Sequence, residues 1–431
     1  MSNRKIIPLK QPITTAVTLP GSLSYTVRAL LLGAMTSGKV EIRNALKSDD
    51  TYAMFKALQT LGISSEETAD GFIITGDYTD VTEGDYTIDI NLSGRSARMI
   101  LPFLCVLPGK KTLTCAEPFK KRPMKDLVDA MRTLGAEITY LEKEGSLPIE
   151  ITSSKLMPQK ISIPGHVSSQ YFTALMLVAP IIGGITIEVE GKQASIPYID
   201  TTIDILTTFG VTVNNNNYQS YEIDNQSTYR NPGTYVVETD ASSASYFMGI
   251  AAVTGSTITI KNLPPDSKQG DVAFADLMGR MGCKIIKDRE GKQIMIMGPT
   301  QLTAISADMN HTPDMVPTIA TVAAFATGET KVTNVAHVKL KESDRLEVPK
   351  EGLTTLGIQV ETTDDSITIA GGIAHGGEIK THHDHRIAMA FAVAGAKIEG
   401  IIIKDADVVA KSFPNFWDKL NEIGIESEVI E

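Results

Sequence analysis

Amphipathic runs that close on a glycine and then give way to an alternating or β-branched run recur along this chain. The phrases "ALQTLGI", "AMRTLGAEI", "ILTTFGVTV", "LMGRMGCKI", "GLTTLGIQV" and "KLNEIGIES" place equivalent glycines at Gly62, Gly135, Gly210, Gly282, Gly357 and Gly424, between 67 and 75 residues apart. A glycine in that place is the expected end of a helix, and the two-residue period after it is that of a strand. The chain therefore reads as six copies of one unit.

Each copy also carries a helix of another character, rich in Ala, Met and Leu: Ser24 to Thr36, Ser96 to Leu107, Ser168 to Ile182, Ser242 to Thr254, Asp314 to Thr327 and His385 to Ala396. A helix apolar on nearly all sides is a buried one. Most of these runs lead through a glycine-containing turn into a strand such as "ITIEV", "STITI" or "GIIIK". The pattern predicts an α/β protein of two domains, three units each, with helices inside and sheets outside. Nothing resembling a linker divides them. The most polar stretch, "NNNNYQSYEIDNQSTYRNPG" (Asn214 to Gly233), is the expected approach to the boundary.

The chemistry gathers where those buried helices begin. In order they offer Ser24 and Arg28; Gly94, Arg95, Ser96 and Arg98; Ser168, Ser169 and Gln170; Asp240, Ser242 and Ser243; Asp314; and His385 with Arg386. Serine and aspartate at such places also serve as ordinary N-caps. Their recurrence beside arginines points further, because helix N-termini that converge with cations make an anion site. Two charged segments without helical period add to the set. "VKLKESDRLEVPKEGL" carries Lys341, Glu342, Asp344 and Arg345, and "VVAKSFPNFWDKL" carries Lys411; Arg122 stands before Pro123 at a further helix start. Arginines and lysines suit phosphates and carboxylates, and the acidic residues suit proton transfer.

Composition narrows the partners. Of 431 residues, 42% are hydrophobic and 21% charged, as in an ordinary globular protein, and the net charge of -11 counts against a nucleic-acid surface. It leaves room for a small anion in a local cationic cleft. No apolar run reaches the roughly 18 residues of a membrane span, and Met1 to Lys10 has no signal-peptide core, so a cytoplasmic location is expected. Cys105, Cys115 and Cys283 lie far apart and read as reduced thiols. The histidines show no ligand spacing apart from His382, His383 and His385, so neither metal nor cofactor is expected.

Over nearly its whole length the sequence resembles the enolpyruvyl transferase family, in its EPSP synthase branch. The resemblance rests on "SDDTYAMFKALQTLG", "RPMKDLVDAMRTLGAEI", "VSSQYFTALMLVAP", "SIPYIDTTIDILTTFGV", "DASSASYFMGIAA", "QGDVAFADLM", "DMNHTPDMVPTIATVAAFA", "KESDRL", "DHRIAMAFAVAG" and "AKSFPNFW", all in order. It implies two inside-out α/β domains, each of three βαβαββ-like units with buried helices and outward-facing sheets. One would run from about residue 20 to 238; the other would join 1–19 to 239–431, with the active site in the cleft between them. The implied reaction moves the enolpyruvyl group of phosphoenolpyruvate to the 5-hydroxyl of shikimate 3-phosphate and releases phosphate, in a monomer.

The resemblance also implies roles, residue by residue. Gly94, Arg122, Gln170, Arg345, Arg386 and Lys411 would hold phosphoenolpyruvate; Ser24, Arg28, Ser168, Ser169, Gln170, Ser195, Asp314 and Lys341 would hold the phosphoshikimate. Asp314, Glu342 and Lys411 would be catalytic, Asp314 taking the proton of the attacking hydroxyl and Glu342 serving the carbon that becomes a methyl group and then a methylene again. Four places depart from the family pattern. Leu23 stands where the family has a lysine, Leu92 and Arg95 where it has an asparagine and a threonine, and His337 where it has an asparagine. These departures leave open a transferase with another acceptor, or a ligand-binding homologue without catalysis.

Overall fold

The computed structural model describes residues 2–153, 155–157 and 159–430. The chain forms two compact units, Gly21–Val237 and the combination of Met1–Pro20 with Glu238–Glu431.

In Gly21–Val237 each repeat opens on a parallel strand pair and closes on an antiparallel hairpin. The parallel pairs are Thr234–Val236 with Lys39–Arg43, Asp85–Asp89 with Lys110–Thr114, and Lys160–Pro164 with Ile185–Glu190. The matching hairpins are Ser64–Thr68 with Gly71–Thr75, Glu137–Tyr140 with Ile149–Thr152, and Asn214–Asn216 with Ser220–Ile223. Each pair and hairpin join into one four-stranded sheet. Strands show the period expected of a half-buried sheet: in "KVEIR", Val40 and Ile42 face the core while Lys39 and Arg43 face water. Inside lie the helices Leu23–Ala34, Gly94–Val106 and Ser169–Val178, the first with every residue buried.

The second unit repeats the scheme. Its parallel pairs are Thr14–Thr18 with Thr257–Lys261, Ser306–Asp308 with Glu329–Thr333, and Gly377–Ile379 with Ile401–Ile403. The helices Ala241–Thr254, Val316–Ala323 and His385–Gly395 pack against one another at its centre. Its last sheet is completed from the far end of the chain, where Asn3–Ile6 lies antiparallel between Ile401–Ile403 and Ser427–Ile430. Each unit has its own hydrophobic core.

The six repeat glycines all adopt left-handed φ values, between 80° and 105°. After each, the next residue donates its N–H five residues back, as from Ile63 to Leu58 and from Ile425 to Leu420. That closure satisfies the last carbonyls of the helix and needs a residue without Cβ strain.

Two buried helices are shorter than the apolar pattern predicts. The run from Ser168 to Ile182 leaves the helix after Val178: Ala179 keeps helical backbone as the C-cap, and Pro180, which has no N–H to donate, cannot extend the ladder. The run from Asp314 to Thr327 splits into a 3-10 turn, Pro313–Met315, and the helix Val316–Ala323. Asp314 is thereby displayed on the turn. Among the described residues no helix is long and apolar enough to cross a membrane.

Candidate functional site

In the unit containing Glu238 and beyond, the predicted charged residues form one buried network centred on Arg345, which is 1% exposed. Its guanidinium donates to both oxygens of Asp384 (2.8 and 3.2 Å), to Asp314 Oδ1 (2.8 Å) and to Glu342 Oε2 (2.8 Å). Arg386 donates to the other oxygen of Asp314 at 2.8 Å and reaches the hydroxyls of Ser242 and Tyr246. Lys411 donates to Glu342 Oε1 at 2.8 Å, and Lys341 lies 3.7 Å from Asp314. The fold aims these groups from helix ends. Asp384 caps the His385–Gly395 helix by accepting from the Arg386 N–H, and Lys411 closes the 3-10 turn Ala406–Lys411.

Burial alone would favour neutral carboxyls here. Against it, Arg386, Lys341 and Arg345 hold Asp314 well below the usual carboxylate range, and Arg345 and Lys411 do the same to Glu342. Both are carboxylates at neutral pH. His385 is pushed down to about 3 by burial, which outweighs the raising effect of the Asp384 carboxylate, so its ring is neutral. Asp271 is pushed up to about 6 by burial and by the charge of Asp314, and Ser242 donates to it. Among the described residues no group of acidic, histidine or cysteine side chains could hold a metal ion.

The Gly21–Val237 unit collects cations of a different kind. Arg28, 1% exposed, donates to Thr202 Oγ1 (3.0 Å), the Ser24 carbonyl (2.8 Å), Thr173 Oγ1 (3.3 Å) and the Tyr198 carbonyl (3.2 Å). Arg98 donates to Gln170 Oε1 at 2.8 Å and to the Pro123 carbonyl at 3.2 Å, with its guanidinium over the Tyr171 ring. Arg122 stacks on Phe119, and a Cβ on Gly94 would come within 2.8 Å of both side chains. Glycine at 94 is what lets that guanidinium approach the helix start. Ser168 caps the Ser169–Val178 helix by accepting from the Gln170 N–H, Ser169 is buried beside it, and Ser195 holds left-handed backbone at φ 55°. A serine in that region marks a position constrained by its surroundings.

The structure thus joins Asp314, Lys341, Glu342, Arg345, Arg386 and Lys411 in one network, and Ser24 with Arg28 in a second cluster. Gln170 is joined to Arg98, a helix-start cation that neither implied ligand set includes. Asp384, Thr173 and Thr202 were also missed. Asp384 could have been found from its place before His385, equivalent to Asp240 before its own buried helix. The two threonines carry no sequence signal, since their role depends on which helices meet. At the departures, Leu23 belongs to the hydrophobic core at 8% exposure, Leu92 is 43% exposed, and His337 is half-buried, its ring pushed down by burial and by Lys341. Arg95 opens the Gly94–Val106 helix, and its Nη1 is buried without a hydrogen-bond partner.

A family model described as EPSP synthase (3-phosphoshikimate 1-carboxyvinyltransferase) matches residues 8–420. The chain is 39% identical over 417 residues to the 3-phosphoshikimate 1-carboxyvinyltransferase of Photobacterium damsela subsp. piscicida, covering 95% of this chain and 97% of that protein. It is 38% identical to the enzyme of the same name from Vibrio atlanticus, covering 96% and 98%. A solved EPSP synthase from Acinetobacter baumannii superposes over 100% of both chains with a TM-score of 0.87 at 27% identity. The enolpyruvyl transferase NikO from Streptomyces tendae shares the fold, with a TM-score of 0.78 at 17% identity over 100% of this chain and 99% of its own.

Proposed function

The chain belongs to the EPSP synthase family, and from that premise we propose how its residues carry the transfer of the enolpyruvyl group from phosphoenolpyruvate to shikimate 3-phosphate. Gly94, Arg122, Gln170, Arg345, Arg386 and Lys411 hold phosphoenolpyruvate. Ser24, Arg28, Ser168, Ser169, Gln170, Ser195, Asp314 and Lys341 hold the phosphoshikimate. The observation that carries this reading is the ionised pair Asp314 and Glu342, each pinned between cations in one buried network.

In that network the carboxylates neutralise the arginines that an anionic substrate would claim. When the carboxylate of phosphoenolpyruvate takes up Arg345 and Arg386, Asp314 loses positive neighbours and becomes a stronger base. It then accepts the proton of the 5-hydroxyl as the C–O bond forms at C2 of phosphoenolpyruvate. C3 gains a proton from the Glu342–Lys411 pair, giving a tetrahedral intermediate with a methyl group. Loss of phosphate from C2 and return of that proton restore the methylene. The test is phosphate release from phosphoenolpyruvate with and without shikimate 3-phosphate. Release that depends on the acceptor supports the reading, and no release under saturating substrates overturns it.

A further inference from the structure

Cations in the two units are balanced in different ways. Lys341, Arg345, Arg386 and Lys411 each have a carboxylate oxygen within 4 Å. Arg28, Arg95, Arg98 and Arg122 have no ion pair among the described residues, although Arg28 and Arg98 are buried. Arg28 is satisfied by neutral oxygens and Arg122 by the face of Phe119, while Arg98 donates through both Nη atoms and leaves only its Nε buried without an acceptor. Arg95 differs from all three: its side chain makes no hydrogen bond among the described residues, and its Nη1 is shielded from solvent with no acceptor. A guanidinium nitrogen in that condition is costly unless a ligand brings the missing oxygen.

We propose that Arg95 is a substrate-binding residue that shares with Arg28 one anionic group of the acceptor, its carboxylate or its phosphate. The two charges act on each other: Arg28 is pushed down to about 9, by burial first and by Arg95 second. An anion set between them would satisfy Arg95 Nη1 and remove the repulsion in one step, since guanidinium groups suit the two-oxygen geometry of carboxylate and phosphate. Leu23, packed in the core, supplies no charge at its own helix start, where the first turns carry Arg28 alone, and Arg95 is the cation at the start of the Gly94–Val106 helix. The inference depends on the enolpyruvyl-transfer reading only for the identity of the acceptor.

Arg95→Gln and Arg95→Lys in the full chain test it, through KM for each substrate and the melting temperature with and without shikimate 3-phosphate. Arg95→Gln should raise KM for shikimate 3-phosphate about 10- to 100-fold, the worth of one charge-assisted hydrogen bond, and leave KM for phosphoenolpyruvate within about threefold. Arg95→Lys should recover part of that loss. Without ligand, Arg95→Gln should melt no lower than the wild type, because a repulsion has gone, while the rise in melting temperature on adding shikimate 3-phosphate should shrink. A merely structural arginine would do the opposite, lowering the ligand-free melting temperature and sparing KM; that result, or a change confined to KM for phosphoenolpyruvate, overturns the proposal. If the wild type shows no turnover, the reading of the reaction fails, and the shift in melting temperature caused by shikimate 3-phosphate alone still decides the role of Arg95.

Discussion

Asp314 touches Arg345 with one oxygen and Arg386 with the other, so it is both the counter-charge of two arginines and the proposed base. Asp314→Asn keeps the shape and removes the charge. Turnover should fall by at least about 100-fold, the usual worth of a general base, while shikimate 3-phosphate still binds by titration calorimetry; near-normal turnover would take Asp314 out of the mechanism. His385 sets a pH dependence of stability. Its folded pKa, about 3, lies below the unfolded value, so protonation favours the unfolded chain and stability is lost as pH falls from about 6.5. Asp271, raised to about 6, works in the opposite sense between about 6 and 4, and the lowered Asp314, Glu342 and Asp384 lose their contribution only below the usual carboxylate range. The melting temperature of His385→Gln should therefore decline less than that of the wild type from pH 6.5 to 5, and parallel curves would show that His385 does not titrate on unfolding. At this scale the sequence displays Asp314, Glu342, Arg345 and Arg386 because they interrupt the helical period or stand at helix starts. It hides Asp384 as a partner of Arg345, since that contact joins residues 39 apart and depends on how two elements pack.

Helix ends are where the sequence was easiest to read, and one of them shows its limit. The glycine closures were visible because only a residue without a side chain fits a left-handed turn, and the chain repeats the choice six times. The Gly94–Val106 helix ends differently. Lys111, on the strand Lys110–Thr114, is fully buried and turns its ammonium back to the carbonyls of Leu107 (2.6 Å), Gly109 (2.9 Å) and Pro108 (3.4 Å). "GKKTLT" gives no sign of this, as alternation only says that one of its two lysines faces inward. These are the carbonyls of the cap residue and the turn just beyond the helix, where a cation also faces the negative end of the helix dipole, and its loss leaves those oxygens without that donor. Lys111→Met should destabilise the Gly21–Val237 unit by about 2–4 kcal/mol, read as a lower midpoint of urea unfolding. An unchanged midpoint would mean that water replaces the ammonium at no cost.

Across the whole molecule, the six-repeat plan was legible from periodicity, whereas the joining of 1–19 to 239–431 came only from the family resemblance, because strand partners lie far apart in the chain. Thr234–Val236 pairs with Lys39–Arg43, and the ends of Gly21–Val237 meet at Asn44: its amide donates to the Val237 carbonyl at 2.8 Å, and a Cβ on Gly21 would strike the Asn44 carbonyl. That unit holds all the strands of its three sheets and a core drawn from its own residues. The other unit is not continuous. Asn3–Ile6 separates two strands near the opposite terminus, Thr14–Thr18 edges the sheet of Thr257–Lys261, and Ile6, Val17 and Leu19 enter its core. Removing residues 1–20 would empty those core positions, at about 2–5 kcal/mol for each large aliphatic side chain, and would take a partner from three strands, Ile401–Ile403, Ser427–Ile430 and Thr257–Lys261, a loss comparable to the whole stability of a domain. Residues 21–237 expressed alone should therefore unfold in one cooperative denaturant transition, whereas residues 238–431 alone should show none. A cooperative transition in the second fragment would mean that the N-terminal strands are dispensable for its fold.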